Sequence, residues 1–148
     1  MGASKSHKAR IRSELKTCGI SMWGLLRPCA AHLGSILHGD EHIQAAIAGR
    51  SSEMQGFFGI FEAMLVATDK RVIYVDWIPG FTTLDEISYD VVSGVNLSKG
   101  LGTASVTLFT RVSTYKLSHV RPIAALRFAE YIEGQPLVPK NPPQIPDY

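Results

Sequence analysis

The sequence predicts a mainly β fold of the α+β class: a seven-stranded antiparallel sandwich or barrel, with a helical arm before it and a capping helix after it. From Glu41 onward, apolar residues recur with the period of strands in seven short segments, which Gly, Pro, Asp or Ser residues separate. No helical pattern intervenes between these segments. Consecutive strands should therefore pair as an antiparallel meander that folds over one core.

Residues 1–38 form the predicted N-terminal helical arm. Ile11 and Leu15 lie one helical turn apart, as they would on one apolar face. Pro28 suits the first turn of a helix better than its interior. We therefore expect two short helices with a break between about Thr17 and Pro28, and the sequence leaves open whether they pack on their own barrel or on a neighbouring copy.

Residues 39–134 form the predicted β domain. A change in the parity of apolar positions near Ser93 and Gly94 predicts a bulge or short turn. Pro122 suits the first position of a final helix, which should cover an open end of the core and end at Gly134. The candidate strands are residues 42–50, 60–68, 71–77, 82–89, 91–97, 104–110 and 112–118.

Residues 135–148 contain five prolines and predict an extended tail without a fold of its own. Across the whole chain the net charge is +2, too small for the basic field of a dedicated nucleic-acid binder. Cys18 and Cys29 lack the spacing of a zinc site, and we interpret them as reduced thiols of a cytoplasmic protein. No apolar run reaches the roughly 18 residues of a membrane span.

The N-terminus carries a weak targeting pattern. The sequence MGASKS places Gly2 and Ser6 at the positions of a myristoylation signal, and basic residues follow. A lipid with basic residues would make a two-signal membrane anchor. The alternative is a basic N-terminus whose second residue happens to be glycine, and the sequence does not decide between them.

The segment Thr68–Arg71 lies between two apolar runs and has the composition of a hairpin turn. Thr68 and Asp69 can bond the backbone of the turn, while Lys70 and Arg71 should stay solvated. A catalytic role would need a second converging group, and the chain has no G-x-S-x-G, H-E-x-x-H or glycine-rich phosphate motif. We therefore expect no enzyme activity and no cofactor.

The five histidines raise the question of a metal site. His38 and His42 have the interval of two ligands on one helix face, but Gly39 and Asp40 should break a helix between them. We therefore predict no metal site.

Three of these segments carry a family resemblance: HGDEHIQAAIAGR, LVATDKRVIYV and ISYDVVSGVNL, followed by an amphipathic helix. Together they resemble the bacterial pleckstrin-homology-like (PH-like) domains of the YokE-like kind over Leu33 to Glu133. The most specific part is Leu65 to Val75. The resemblance implies two antiparallel sheets, of four and three strands, closed at one corner by the C-terminal helix. It implies no particular ligand, since folds of this kind bind lipids or peptides or act as scaffolds.

The leading hypothesis is a non-catalytic binding or assembly module that contacts a protein partner or forms a homo-oligomer through sheet edges and the arm. The alternative is weak peripheral association with anionic membranes through the basic N-terminus and a loop carrying Trp77, Ile78 and Phe81. With Arg50 and Arg111, these are the candidate contact residues. Because Arg50 is the only base of its loop and Arg111 the only possible helper, we predict no specific inositol phosphate binding.

Overall fold

The computed structural model describes residues 5–20, 26–51, 62–78 and 81–135. This part of the chain forms the seven predicted strands and the three predicted helices. The helices are α1 (Lys5–Thr17), α2 (Leu26–Ile36) and α3 (Pro122–Glu133). The strands are β1 (Ile43–Ser51), β2 (Glu62–Thr68), β3 (Arg71–Ile78), β4 (Phe81–Ser88), β5 (Val92–Lys99), β6 (Ala104–Thr110) and β7 (Thr114–Val120).

The strands are hydrogen-bonded in the order β4-β3-β2-β1-β7-β6-β5, and every neighbouring pair that is described is antiparallel. The join between β1 and β7 is short, with Arg50 opposite Ser118 and Ser51 opposite Leu117. This narrow join divides the sheet into two half-sheets, β1–β4 and β5–β7. The division matches the four and three strands that the family resemblance implies.

Gly49 lies beside this join and has to be a glycine. A Cβ atom there would lie 2.3 Å from the carbonyl oxygen of Ser118 and 2.9 Å from Cγ2 of Val120. Both distances are inside van der Waals contact, so β1 passes β7 more closely than any side chain would permit. Strand β7 turns away at once, and His119 adopts a positive φ of 59° there.

The chain crosses from one half-sheet to the other through a 3₁₀ turn, Tyr89–Val91, between β4 and β5. The pairing of β5 with β6 then shifts register between Val92 and Gly94. This is the irregularity that the parity change predicts, and Ser93 Oγ secures it by donating a hydrogen bond to the carbonyl of Phe109 at 3.2 Å. The extra residue bends the strand, which lets β5 begin the second half-sheet.

The main core lies between the two half-sheets and under α3. Pro122 occupies the first turn of α3, where its missing N–H costs no hydrogen bond. The apolar stripe predicted for this helix is buried, and Phe128 and Ile132 are fully enclosed. Helix α3 packs mainly on β1 and β5 and therefore bridges the two half-sheets.

A second core lies on the other face of β1–β3, where the arm packs on its own sheet. Ile11 and Leu15 of α1 and Leu33 of α2 are buried there against Met64 and Ile73. The first half-sheet is therefore covered on both faces. Of the two arrangements that the sequence leaves open, the structure has the arm on its own barrel.

Helix α1 ends in a Schellman motif. Gly19 has a φ of 91°, the N–H of Ile20 bonds the carbonyl of Leu15 at 3.0 Å, and the N–H of Gly19 bonds that of Lys16 at 2.9 Å. Ile20 is buried in the same cluster as Leu15, which is the apolar contact that accompanies this motif. The motif fixes the direction in which the chain leaves α1.

Several sequence predictions concern residues outside the described part. These are the lipidation of Gly2, the part of the expected break between α1 and α2 at residues 21–25, the loop 52–61 and the proline-rich residues 136–148. Within the described part, no helix is long and apolar enough to cross a bilayer.

Candidate functional site

The segment between α2 and β1 meets the β2–β3 turn, and Glu41 is the centre of their contact. Its side chain is fully buried. Arg71 binds both carboxylate oxygens, with Nε to Oε2 at 2.9 Å and Nη2 to Oε1 at 2.9 Å. Thr68 Oγ1 donates to Oε2 at 2.6 Å, and the N–H of His38 donates to Oε1 at 3.2 Å. Four hydrogen bonds therefore reach the two oxygens of this buried carboxylate, which together have about four lone-pair sites.

These contacts determine the ionisation of the pair. Burial by itself raises the pKa of Glu41, but the hydrogen bonds from Arg71, Thr68 and the His38 backbone outweigh it, so the pKa lies below its ordinary value. The hydrogen bonds with Glu41 in turn raise the pKa of Arg71. Glu41 is therefore held as a carboxylate, which suits a structural clamp and not a proton-transferring group.

The prediction that Arg71 stays solvated is wrong. Its side chain is 15% exposed and also bonds Glu86 of β4 at 2.6 Å and the carbonyl of Ile36 at 3.1 Å. Arg71 therefore connects α2, the segment between α2 and β1, and the strands β3 and β4. Lys70 is exposed as expected, and it pairs with the still more exposed Asp40 at 2.7 Å.

Thr68 and Asp69 divide the remaining bonds of the turn. Thr68 Oγ1 accepts from the N–H groups of Lys70 and Arg71, both at 3.1 Å, as a turn residue should. Asp69 instead accepts from the N–H of His42 at 3.1 Å, and its own N–H bonds the carbonyl of His42. The Asp69 carboxylate therefore holds the start of β1 and not its own turn.

Helix α1 joins the same contact from the other side. Glu14 bonds Arg10 at 2.8 Å, the imidazole of His42 at 2.8 Å and the N–H of Ile43 at 3.2 Å. His42 is thus a partner of α1, while His7 bonds the carbonyl of Leu37. Within the described residues no group of His, Cys, Asp or Glu converges as metal ligands.

Two tyrosines cover the turn from the core side. The hydroxyls of Tyr89 and Tyr131 both donate to the carbonyl of Thr68, the latter at 3.4 Å. Desolvation by burial is the main cause that raises the pKa of each phenol, so both stay protonated donors at neutral pH. The turn therefore links the arm, both half-sheets and α3.

A family model described as the bacterial PH domain matches residues 37–133, which run from the end of the arm to the end of α3. The chain belongs to the bacterial PH domain family. The resemblance drawn from the sequence is therefore confirmed.

Among solved structures, this PH domain is similar to the crystal structure of a DUF1696 family protein with a pleckstrin-homology domain from Shewanella loihica PV-4. The TM-score is 0.42 and the sequence identity 17%, over 75% of this chain and 95% of that chain. A comparison with curated proteins gives no match.

Two of the candidate contact residues of this PH domain, Arg50 and Arg111, lie at different points of the backbone. Arg50 is exposed and lies opposite Ser118 of β7, while Arg111 is exposed in the β6–β7 turn, where its N–H bonds the carbonyl of Val91. Ser118 lies four residues beyond Thr114, the start of β7, which corresponds to about 13 Å along a strand. The two guanidinium groups therefore start from well-separated backbone positions.

The loop expected to carry Trp77, Ile78 and Phe81 is shorter than predicted. Trp77 and Ile78 end β3, and Phe81 begins β4 directly opposite Ile78. The side chains of these three residues lie outside the described part of the structure. Their backbone belongs to paired strands.

The interior between the half-sheets contains a polar group that the sequence did not reveal. Tyr74 donates to Asp76 at 2.9 Å, and Tyr115 donates to Asp85 at 2.9 Å. The two tyrosine rings lie 5.2 Å apart. The Tyr74–Asp76 bond lies within β3, whereas the Tyr115–Asp85 bond joins β7 to β4 and, together with the ring contact, connects the two half-sheets at this level.

Among the open surfaces of the PH domain, the first is the β5 edge; β4 forms the other edge of the sheet. One side of β5 pairs with β6, and no described strand pairs with the other side. Val95 and Leu97 are half-buried against the core, and Lys99 supplies the strand's only charge. Natural edge strands are usually protected by charge, proline or a covering element, so this edge is weakly protected.

Exposed apolar side chains lie on the elements that follow or pack on β5. Four large ones are exposed in the described part, and three of them are Leu101 after β5 and Ile123 and Leu126 on α3. Arg127 and Tyr131 occupy the flank of α3 that faces the arm and the β2–β3 turn. At 100° per residue, Leu126 then lies toward the opposite flank, beside β5. The fourth, Val112, lies in the β6–β7 turn.

The second open surface is the flank of α1 that faces α2. Lys8, Arg12 and Lys16 follow one another at intervals of four residues, so they form a single row, here called the basic row. All three are exposed. No acidic side chain of the described residues lies within ion-pair distance of them, whereas Arg10, on the opposite flank of α1, is paired with Glu14.

Sequence reasoning missed Glu41, Tyr89, Tyr131 and the basic row. Glu41 and the tyrosines act through partners distant in sequence, for which no local pattern exists. The basic row had a signal in its four-residue spacing. The charge distribution is a further signal. Residues 1–38 have six Lys and Arg residues and one acidic residue, whereas residues 39–148 have nine Lys and Arg residues and twelve acidic residues.

Proposed function

We propose that this bacterial PH domain is a non-catalytic protein-binding module that takes up an extended segment of a partner protein at the β5 edge. The single observation that carries the proposal is the unpaired outer side of β5, with α3 packed along it. Backbone N–H and C=O groups on such an edge are a template for strand addition. A partner segment would gain main-chain hydrogen bonds from β5 and side-chain contacts from α3.

The surroundings of the edge support this assignment. Leu101 and Leu126 are exposed at 102% and 44%, respectively. Apolar side chains at alternate positions of an added strand would cover such residues, which gives the site a preference beyond its backbone bonds. A second copy of this chain could supply the segment, in which case the module is a homo-oligomer.

The test uses a display library of linear twelve-residue peptides, selected against the full chain. Selected peptides should slow amide hydrogen exchange in residues 93–99 and shift the NMR signals of Leu126. The variant Leu126→Lys should weaken their binding at least tenfold. Val112→Lys is the matched control, because Val112 is 86% exposed but lies away from this edge, and it should bind normally.

Selected peptides that protect other strands, or that bind Leu126→Lys and the unaltered protein equally, would refute the β5 site. The homo-oligomer version needs no peptide. Light scattering of the full chain over a hundredfold concentration range should show association that Leu126→Lys removes, and a strictly monomeric protein would exclude it.

Peripheral association with an anionic membrane is the second candidate, and the net charge of +5 on residues 1–38 favours it. The exposed neighbours of the basic row on α1 are the small residues Ala9 and Ser13, which would insert little apolar surface into a bilayer. Such binding should be electrostatic and weak. Co-sedimentation with phosphatidylserine vesicles should detect this binding at low salt. At 0.5 M salt the Debye length is only about 4 Å, so screening should abolish the binding.

A further inference from the structure

The basic row borders a groove between α1 and α2 on the face of the molecule that the arm covers. The groove has a volume of about 760 Å³ and is lined by Lys8, Ala9, Arg12, Ser13, Lys16, Ala30 and Ala31. Apart from the three bases, each of these residues is small. A groove with a floor of Ala and Ser lets another backbone approach closely, and its volume is in the range that accommodates several side chains.

The bases of this row are positioned by the arm itself. A Cβ atom added to Gly34 of α2 would lie 3.3 Å from Cγ of Lys8, so the stem of Lys8 lies directly against the neighbouring helix. Long basic side chains commonly bury their stems in this way and leave the charge in water. The second core under Leu15 and Leu33, both fully buried, fixes the two helices on the sheet. The charges are thus mounted on a rigid support.

From these observations we infer that the groove between α1 and α2 is a docking site for an acidic α-helix of a partner protein. Residues four apart on a helix are separated by about 6 Å along its axis, so the basic row repeats at about 6 Å. An acidic helix with Asp or Glu at positions i, i+4 and i+8 repeats at the same distance. Lys8, Arg12 and Lys16 would each meet one carboxylate when the helices lie alongside.

Other anionic partners fit the groove less well. A membrane surface is flat and broad, so it would meet the row but leave the floor of Ala30 and Ala31 uncovered. A helix fills the groove and brings its charges to the rim. The docked helix would complete a three-helix layer over β1–β3, and this site is independent of the β5 edge.

The direct test measures fluorescence anisotropy at 150 mM salt with two labelled, alanine-rich peptides of identical composition. In one peptide, three Glu residues occupy positions i, i+4 and i+8, and in the other they are distributed around the helix. The matched peptide should bind at least tenfold more tightly. Arg12→Glu should abolish this preference, and a matched peptide with Lys in place of its central Glu should restore binding to Arg12→Glu.

Lys99→Glu is the control variant, because Lys99 is exposed at the end of β5 and carries the same charge change. It should bind the matched peptide normally, and circular dichroism should show that both variants are folded. Equal binding of the two peptides would show that the groove attracts anions in general, without regard to their spacing, and would refute the inference. No binding, or tighter binding to phosphatidylserine vesicles than to the matched peptide at the same salt, would also refute it.

Discussion

Glu41 and Arg71 form a two-point ion pair between the arm linker and the β2–β3 turn, with both N–O distances at 2.9 Å. The carboxylate is fully buried, and the guanidinium is 15% exposed. This pair makes the helical arm part of the folded body of the PH domain. It also gives the Thr68–Arg71 segment its structural role, because the segment is a turn whose last residue reaches back to the arm.

Replacement of Glu41 by Gln should destabilise the protein strongly. Arg71 would keep its burial but lose its main counter-charge, and removal of one partner from a buried ion pair costs about 3–5 kcal/mol. Glu86 remains close to Arg71, so we expect the lower end of this range. Urea denaturation gives the free energy of unfolding. Lys70→Ala, which breaks the exposed pair with Asp40, is the control and should leave the midpoint unchanged; equal losses in both variants would contradict the assignment.

Stability should fall in acid because of the same carboxylate. The folded state lowers the pKa of Glu41, so its contribution is complete above the ordinary pKa of Glu, about 4.3, and is lost as the pH falls through the lower folded value. Unfolding midpoints measured from pH 6 to pH 2.5 should therefore decline steeply below about pH 4.5. Glu41→Gln should show a shallower decline, and the two curves should approach each other in acid. Parallel curves would show that other groups dominate.

The strand pattern was predictable because it is local. Alternation and turn residues fixed seven strands, and the parity change located the bulge at Val92 and Gly94. The burial of Arg71 was not predictable in this way, because a base after a turn is usually solvated and its partner, Glu41, lies thirty residues away. Long-range polar partners leave no periodic signal in one sequence.

The position of the arm did have an overlooked signal. Strand β2 contains the run AMLVA, and strand β3 contains the run VIYV. Both runs are apolar at consecutive positions and not only at alternate ones. Continuous apolar strands are typical of sheets covered on both faces. Since α3 covers only one face, the second cover had to come from the arm.

Gly49→Ala should disrupt the join between the half-sheets. The new methyl group would lie 2.3 Å from a backbone carbonyl of β7, which cannot rotate away. Overpacking of this kind costs about 1–3 kcal/mol, and the rigid neighbour favours the upper end. Gly39→Ala is the matched control, since nothing lies within 4 Å of a Cβ there. Thermal unfolding should place Gly39→Ala near the unaltered protein, and a similar loss in both variants would contradict the steric argument.

Leu33→Ala should weaken the packing of the arm. Leu33 is fully buried in the second core, and truncation of such a leucine costs about 2–5 kcal/mol. Leu101→Ala removes the same atoms from a residue that is 102% exposed, so it should have no measurable effect on unfolding. Hydrogen exchange should show faster opening of α1 and α2 in Leu33→Ala. Normal protection of both helices would mean that the arm is held by the Glu41 contact alone.

Inositol phosphates should not bind specifically to this PH domain. Such ligands carry clustered phosphate charges and need several converging donors to replace their hydration. Arg50 and Arg111 leave the backbone at points that differ by about 13 Å along β7, so they do not form one cradle. Any weak attraction should come from the basic row. Calorimetric titration with soluble inositol hexakisphosphate should therefore give a weak binding signal. Arg12→Ala should reduce this signal, Arg50→Ala should leave it unchanged, and high salt should remove it. Micromolar affinity that persists in high salt and disappears in Arg50→Ala would refute this prediction.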